Sequence, residues 1–478
     1  MRSLFILDNR PFSANCAGFP AKSGPSGTPA SRRKGRHFPS LRTVKTPMSA
    51  HRPRTLSAIL ACLVLALPAI LGAAETAPLS WDDCAKAAYA NNPALLGARF
   101  RLDAARARRN SVLGGFLPRV SAGMSADDSG LGAAPDVRDI NLSPWSARVT
   151  VSQSLFSGFS TLSEAFRAAA SVRQERARLR AESADARARL RSAFVGLLHA
   201  QENVGLLERI AKRRKDNAEL VRLRYDAGRE DKGSALRVGA DAQAAAFDVA
   251  RSRRALSLSR RRLAAETGLG DGLSELSVKG DWALPAPPIS PDFARLVPAV
   301  PAAEQAAAAL DSARASFAGS FSPFLPSADA SAGISGNGPD WPPTDRGWSA
   351  GLSFSWNLFN GARDTSGAMA ARADRRAAEE NLDGTRRGTR VTLEDRWNAY
   401  ADAYESVAIQ KQYLEASTAR SEIGRAQYAN GLLSFTQWDL IESEMVNSER
   451  GYLNARREAL LAESAWLNAL GEGLEEKQ

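Results

Sequence analysis

The sequence is poor in the side chains that build reactive centres. It contains three cysteines and three histidines in 478 residues, and beyond residue 74 only Cys84 and His199 remain. A metal cluster or a histidine-based triad needs several such side chains converging on one point. We therefore expect no enzymatic activity and no catalytic, cofactor-binding or metal-binding residues. A single cysteine also excludes an intrachain disulfide. Cys84 is predicted to be a buried filler, and His199 a residue on a helix surface.

Long hydrophobic runs are also absent beyond an N-terminal leader. The run at residues 56–71 follows Arg52 and Arg54 and precedes Gly72-Ala73-Ala74, a pattern typical of a secretory signal peptide cleaved near Ala74. No later run approaches the roughly 20 apolar residues of a membrane helix. The chain is therefore predicted to be exported and to have no α-helical span.

Residues 1–74 are predicted to be this leader as a whole. Met48 is a plausible true start, because residues 1–47 are polar, rich in Pro and Gly, and without pattern. Cys62 could be a site of lipid attachment, but the preceding Leu60-Ala61 matches that signal weakly and a long apolar run follows it. A lipidated Cys62 is the less favoured interpretation.

Excess positive charge is confined to the leader. The formal net charge is +11, but residues 1–54 alone contain eleven Lys/Arg and one acid. The remainder is close to neutral, so the charge does not indicate a nucleic-acid-binding surface.

What the sequence does contain is one pattern used twice. Three segments recur 203 residues further along the chain. The pairs are Leu155–Gly158 with Leu358–Gly361, Tyr225–Gly228 with Tyr428–Gly431, and Gly268 with Gly471. Upstream, Phe116–Pro118 recurs as Phe324–Pro326, 208 residues later. The change in spacing falls in a predicted loop, which indicates one structural unit used twice.

Strict alternation of residue type predicts two strands in each unit. Trp348–Leu358 places Trp, Ala, Leu and Phe on one side and Ser, Gly and Asn on the other. A length of about ten residues fits a tilted membrane-spanning strand. An amphipathic hairpin on a soluble core is the alternative. The lipid-facing side chains are predicted to be Trp348, Leu352, Phe354 and Trp356.

Heptad spacing predicts long antiparallel helices after each strand pair. In the first unit the seam runs from Leu190 through Leu197 and Leu207, is interrupted at Arg214, and resumes to Tyr225. Leu393, Tyr400 and Tyr428 occupy the matching row in the second unit. Glycines beyond each helix end are typical C-terminal stops.

These signals predict a mainly α-helical chain with a β portion and two repeats. The first repeat is residues 75–280, with strands at 117–127 and 146–156 and helices at 161–226 and 233–266. A Pro-rich linker, 281–301, leads to the second repeat, 302–473, with strands at 325–335 and 347–358 and helices at 364–429 and 436–470. Residues 474–478 are a tail.

Four strands cannot close a barrel, and membrane barrels have no free edges. If the strands enter a membrane, the chain must therefore oligomerise. A dimer supplies eight strands and a trimer twelve. Twelve helical units leave the wider conduit, which favours three.

Several landmarks resemble the TolC family of outer-membrane efflux proteins. They are Leu79–Ala85 with Asn91–Pro93, Phe116–Pro118, Gln153–Gly158, Arg224–Gly228 with Lys232–Ser234, Trp356–Gly361 and Gln427–Gly431. The resemblance covers about residues 79–473. It implies a homotrimer with a 12-stranded barrel in the outer membrane and an α-helical tunnel in the periplasm. It also implies a passive exit duct of a tripartite efflux or type I secretion system, served by a periplasmic adaptor and an inner-membrane pump.

The resemblance implies that the helix turns contact the adaptor. Carried over, that tip comprises Tyr225, Gly228, Arg229, Glu230, Tyr428, Gly431, Leu432, Leu433 and Ser434. Family members often place carboxylates six and nine residues beyond the second tip glycine, where this chain has Gln437 and Leu440. Asp439 and Glu442 are possible tunnel-mouth acids out of that register, or ordinary solvated helix acids. A soluble periplasmic coiled-coil adaptor or scaffold is the alternative function.

Overall fold

The computed structural model describes residues 78–126, 145–269, 276–280 and 282–474. The predicted leader, with Met48 and Cys62, and all of the tail except Leu474 lie outside the described residues. Within the described ranges the chain is mainly helical with four strands, which confirms the predicted fold class. No helix in these ranges combines the length and apolarity needed to cross a bilayer.

Eight α-helices and four β-strands are present in the described ranges. The helices are α1 (Trp81–Asn91), α2 (Pro93–Leu113), α3 (Ser160–Asp226), α4 (Lys232–Thr267), α5 (Phe293–Leu296), α6 (Pro301–Gly319), α7 (Arg363–Ala429) and α8 (Phe435–Leu470). The strands are β1 (Arg119–Ala126), β2 (Trp145–Ser157), β3 (Ser327–Gly338) and β4 (Asp345–Ser355). Each long helix lies within one residue of its predicted bounds.

The duplication is visible in the backbone. Helices α3 and α7 each have 67 residues, and α4 and α8 each have 36. At about 1.5 Å per residue, the longer pair spans about 100 Å. Six glycines with positive φ also occur as pairs 203 residues apart, at the end of each strand pair and beyond each long helix. The same turns at the same spacing produce the same unit twice.

The long helices pack side by side in the order α4, α3, α8, α7. Helix α2 lies along α3, and α6 packs against both α3 and α7. The helices of the two repeats therefore meet where α3 of the first packs against α6 and α8 of the second. Helices α4 and α7 lie at the two ends of the row.

The core follows most of the predicted seam. Leu190, Leu197 and Leu207 are buried in the first repeat, as are Leu393 and Tyr400 in the second. Cys84 is also buried against this core, and burial raises the pKa of its thiol to about 11. The predicted filler role agrees with this position.

Tyr225 departs from the seam. Its side chain is 39% exposed, whereas Tyr428, its counterpart in the second repeat, is fully buried. The reason lies seven residues beyond each turn glycine, where the first repeat has Ala235 and the second has Trp438. Ala235 is too small to cover a tyrosine ring.

The linker is partly ordered against the helices. Before α6 begins at Pro301, the predicted Pro-rich segment contains α5 and a short 3₁₀ turn, Val297–Ala299. The Tyr400 hydroxyl donates to Pro285 O at 2.5 Å, and Trp397 Nε1 donates to Pro288 O at 2.9 Å. Because proline-rich backbone lacks donors, its carbonyls are free to accept these bonds.

The strands form one antiparallel sheet in the order β1-β2-β3-β4. Each repeat contributes one hairpin, and β2 of the first pairs with β3 of the second. In β2 a bulge at Leu155 interrupts the alternation and shifts the register, so that Phe156 pairs with Ala328. The extra residue reverses which side of the sheet the following side chains occupy.

Candidate functional site: the two-faced sheet and the helix tips

One face of the sheet is apolar across all four strands. Residues directly opposite in antiparallel pairs point to the same side, so the register defines rows of side chains. Two such rows are Ala122, Val149, Ile334, Trp348 and Val120, Val151, Ala332, Ala350. Trp348 is 82% exposed and Phe354 is 76% exposed. No helix or strand of the described residues covers these two side chains.

The opposite face is made mainly of Ser, Thr and Gly, with a few charged side chains. Its rows include Ser121, Thr150, Gly333, Ser349 and Gly123, Arg148, Ser335, Gly347. A soluble sheet buries its apolar face on a core, whereas here the apolar face is open and the other face is hydrophilic. This arrangement matches the wall of a membrane barrel, with lipid outside and water within.

The prediction for Trp356 needs correction. The alternation was expected to carry β4 to residue 358, but pairing with β3 ends at Ser327 and Ser355. Pro326, which has no N–H to donate, precedes Ser327, and Trp356 Nε1 instead donates to Phe324 O at 3.2 Å. Trp356 is therefore just beyond the strand, while Trp348, Leu352 and Phe354 lie on it. Their contact with lipid stays a prediction.

The two helix turns adopt the same backbone conformation. Gly228 and Gly431 have φ values of 70° and 76°, in the left-handed region that glycine occupies without strain. The amide that follows each glycine donates back into the preceding helix, Arg229 N to Arg224 O at 2.8 Å and Leu432 N to Gln427 O at 2.9 Å. Each glycine is thus a helix C-terminal stop.

Helices α4 and α8 then begin with side-chain caps. Asp231 accepts from Ser234 N at 3.0 Å, and Ser434 accepts from Gln437 N at 3.4 Å. Hydrogen bonds from the Ser234 hydroxyl and backbone lower the pKa of Asp231. Caps of this kind satisfy amides that have no partner inside the helix.

Side chains at the turn of the first repeat form hydrogen bonds with the turn of the second. Arg224 Nη1 donates to Tyr428 O at 2.7 Å and to Ala429 O at 3.3 Å. A cation at the last carbonyls of α7 is favoured by the helix dipole. The Tyr428 hydroxyl donates to Glu230 at 2.7 Å, so both repeats contribute to one tip.

Tyr428 also stacks on Trp438. The ring centroids are 4.4 Å apart and the planes differ by 4°. Burial, followed by the hydrogen bond to Glu230, raises the pKa of Tyr428. Leu433 and Val221 pack against this pair. The result is an aromatic cluster beneath the tip, built mainly from the second repeat.

Other predicted tip residues remain outside this cluster. Leu432 is 77% exposed, and Gly228, Arg229, Gly431 and Ser434 are exposed as well. Contact of these residues with a partner stays a prediction.

The structure places Glu442 differently from a tunnel-mouth acid. It is 2% exposed and accepts from Asn217 Nδ2 at 3.1 Å and from the Ser421 hydroxyl at 2.5 Å. Arg213 Nε lies 3.7 Å from its carboxylate. Glu442 is therefore held between α3, α7 and α8 and faces no open space.

Asp439 is engaged too. Its carboxylate pairs with Arg214 at 3.3 Å and Arg237 at 3.4 Å. A ring of Asp439 carboxylates would be partly neutralised by these two arginines.

A sequence profile for the outer membrane efflux protein matches this chain twice, at residues 85–269 and 300–472. The two matches coincide with the two repeats and together cover more than half of the sequence. The chain belongs to the outer membrane efflux protein family. No curated protein sequence matches it significantly.

Solved structures of outer-membrane channels have the same fold as this efflux protein. CusC is 16% identical with a TM-score of 0.73, and the match covers 82% of this chain and 92% of CusC. OprN is 23% identical with a TM-score of 0.70, covering 82% and 90%. VceC of Vibrio cholerae is 18% identical with a TM-score of 0.71, covering 82% and 96%.

This efflux protein is an outer-membrane channel protein with a periplasmic helical part, as its family membership indicates. The resemblance seen in the sequence is thereby confirmed. Nothing supports the alternative of a soluble adaptor.

The described residues contain no group of three or more His, Cys, Asp or Glu side chains that could hold a metal ion. His199 was predicted to lie on a helix surface, and the structure places it less openly. It lies half-buried between α3 and α8, with Nε2 3.1 Å from Asn454 Oδ1, and burial lowers its pKa.

Sequence reasoning missed two groups at the tip of this efflux protein. Arg224 and Trp438 fasten the turns, and Asn217 with Ser421 holds Glu442. A signal was available, because aligning the repeats places Gln427 opposite Arg224 and Ala235 opposite Trp438.

Proposed function

We propose that three copies of this chain form one passive duct across the outer membrane and the periplasm. Their twelve strands close into a barrel, and their helices form a tunnel below it. A periplasmic adaptor meets the helix tips, and an inner-membrane pump selects the cargo and supplies the energy. The duct itself carries out no chemical reaction.

The sheet carries this proposal. Strands β1 and β4 are its edges, and the outer side of each has no partner strand among the described residues. Unpaired backbone groups are too costly to expose to lipid, and single membrane barrels need at least about eight strands. Edges of neighbouring copies must therefore pair, β4 of one with β1 of the next.

The helices support the same head-to-tail closure. The row of four ends in α4 on one side and α7 on the other. Leu236, Phe247 and Leu258 of α4 are exposed, as are Val391, Ile409 and Tyr413 of α7. A contact between two different surfaces closes into a ring when repeated by rotation.

Charge favours this pairing as well. Helix α4 has eight Lys/Arg and three Asp/Glu, whereas α7 has eleven of each. Acidic side chains on α7 can therefore pair with the basic excess on the α4 of a neighbouring copy. Three copies give twelve strands and twelve long helices.

The exposed tip supports an adaptor contact. Leu223 and Leu432 are 63% and 77% exposed beside the turns, where apolar side chains gain from being covered by a partner.

The proposal is tested with Leu352→Arg, matched by Ser353→Arg. The two positions are adjacent on β4 but point to opposite faces. An arginine near the middle of a lipid-facing strand costs about 2 to 4 kcal/mol, whereas one in a watery lumen is tolerated. We expect Leu352→Arg to reduce outer-membrane insertion and Ser353→Arg to preserve it.

Membrane fractionation, native mass in detergent and conductance in planar bilayers measure the outcome. The unmodified protein should have the mass of a trimer and conduct ions. Equal insertion of the two variants, or a detergent-free monomer, would contradict the proposal.

A further inference from the structure

A groove lies on the apolar face of the sheet, at the end remote from the helices. It has a volume of about 560 Å³, which is in the range of small-molecule sites. Its floor is formed by Ala147, Val149, Ile334 and Trp348, whose side chains share the apolar face of the sheet. Arg148 and Ser335, which belong to the opposite face, border it as well. The floor is therefore apolar and continuous with the apolar face.

The β3–β4 loop forms a lip over this groove. Trp341 packs against Trp145 with ring centroids 5.8 Å apart. A Cβ added to Gly336 would lie 3.5 Å from the Pro343 side chain, so Pro343 sits over the apolar face and not beside it. The loop bends toward the lipid side and shapes a pocket there.

Arg346 is the only charged side chain in the apolar rows near this groove. Its row is Met124, Ala147, Gly336, Arg346, and the groove is lined by it. The neighbouring Asp345 belongs to the opposite face because side chains alternate along a strand. Arg346 makes no ion pair or hydrogen bond with any of the described residues.

The height of Arg346 in the sheet identifies its surroundings. Phe354 lies at the helix-proximal end of β4, and Arg346 is eight residues before it, near the other end. At about 3.3 Å per residue and a tilt of about 40°, this corresponds to roughly 20 Å along the membrane normal. The apolar band of such barrels is about 25 Å tall. With Phe354 at the inner edge of that band, the backbone of Arg346 lies about 5 Å inside its outer edge. A long arginine side chain can extend over that distance and place its guanidinium among the lipid headgroups.

We propose that this groove binds a phosphate-bearing lipid of the outer leaflet, such as the lipid A part of lipopolysaccharide. Arg346 holds the phosphate, and an acyl chain occupies the apolar floor beneath the Trp341 lip. A guanidinium suits this role because its planar donors match phosphate oxygens. The inference rests on the proposed function, since it needs the sheet to be a barrel wall.

The test measures lipid bound to the purified full-length protein in detergent. Native mass spectrometry counts copurified lipid, and tryptophan fluorescence follows titration with lipid A, with dephosphorylated lipid A and with inorganic phosphate. We expect saturable binding of lipid A alone. Arg346→Gln should weaken it about tenfold or more, because a charge-assisted bond to phosphate is lost. Trp341→Ala should weaken it by a smaller factor.

Arg119→Gln is the matched control, because Arg119 is on the same sheet but on the polar face and at the other end. It should bind lipid A as the unmodified protein does. The inference is overturned if Arg346→Gln binds normally, if both variants lose binding equally, or if the dephosphorylated lipid binds as well. Binding of inorganic phosphate with equal affinity would also overturn it, because the acyl groove would then contribute nothing.

Oligomeric state and conductance separate the two proposals. If Arg346→Gln forms conducting trimers and retains lipid A, only the lipid site is wrong. If the unmodified protein neither trimerises nor conducts, the proposed function is wrong as well.

Discussion

The two repeats share a backbone but not a charge. Helices α3 and α4 together contain 23 Lys/Arg and 12 Asp/Glu, whereas α7 and α8 contain 14 and 17. Helix lengths and turn glycines are nonetheless the same in both. Duplication preserved what the turns require and left the helix surfaces free to diverge.

The divergence joins the repeats to each other. Four ion pairs between α3 and α8 combine an arginine of the first repeat with an acid of the second: Arg191 with Glu463, Arg213 with Glu442 and with Glu449, and Arg214 with Asp439. All seven side chains are less than 20% exposed. Unlike exposed pairs, partly buried ones are weakly screened by salt. The charge difference therefore gives the contact between repeats its own specificity.

The tips differ in the same way, and the largest expected effect tests that difference. Tyr428→Ala removes a buried ring that stacks on Trp438, and such losses cost about 3 to 5 kcal/mol. Tyr225→Ala, at the equivalent but exposed position, should cost less than about 1 kcal/mol. Guanidinium unfolding in detergent, followed by far-UV circular dichroism, compares the two variants. Hydrogen exchange at the turns should locate the loss at the tip. Equal losses of unfolding free energy in the two variants would show that the two tyrosines contribute equally to stability.

A second comparison concerns Glu442, whose counterpart in the first repeat is Gly239. Glu442→Ala leaves Asn217 and Ser421 without their buried acceptor and removes one of the two carboxylates beside Arg213, which should cost about 3 kcal/mol. Gly239→Ala is expected to raise the free energy of unfolding instead. A Cβ there meets nothing within 4 Å, and alanine favours a helix over glycine by up to about 1 kcal/mol. The same unfolding measurement applies. A neutral Glu442→Ala would show that the polar cluster does not stabilise this helix contact.

The smallest expected effect tests how much the Tyr428 hydroxyl contributes to stability. Tyr428→Phe removes its bond to Glu230 and should cost about 1 kcal/mol at neutral pH. The unmodified protein holds this proton more tightly when folded than when unfolded, because its pKa is raised above the ordinary value of 10.0. The stabilisation is therefore complete below about pH 10 and declines above it, by at most about 1.4 kcal/mol per pH unit.

Unfolding profiles between about pH 9 and pH 12 measure this decline. Tyr428→Phe should flatten the profile, and Tyr225→Phe should leave it unchanged. A profile that Tyr428→Phe does not alter would assign the alkaline loss to other groups.

Sequence reasoning located the helices better than the sheet ends. The bounds of α3 and α7 followed from glycine stops and heptads, which are local signals. The end of β4 did not, because alternation continues to Leu358 although the partner strand β3 begins only at Ser327. A strand extends only as far as its neighbouring strand can pair with it, and that neighbour is distant in the sequence. The bulge at Leu155 was missed for the same reason.

The site divides along the same line. Trp348, Leu352 and Phe354 were found because their alternation is written in consecutive residues. Arg224 and the partners of Glu442 were not, since each acts on a residue more than twenty positions away or in the other repeat. Trp438 was not, since it meets Tyr428 only after the chain has turned into the next helix. No sequence pattern singles out Arg346, because its proposed role depends on its position along the membrane normal within the sheet.

The repeated unit, the period of each element and the stops between them can be predicted from the sequence, because turns, heptads and alternation depend on neighbours a few residues apart. The burial of Tyr428 beside an exposed Tyr225, the enclosure of Glu442 and the apolar groove beside Arg346 arise only when distant parts of the chain pack together. Burial depends on what another part of the chain places against a residue, and two equivalent positions in a duplicated unit do not have the same neighbours.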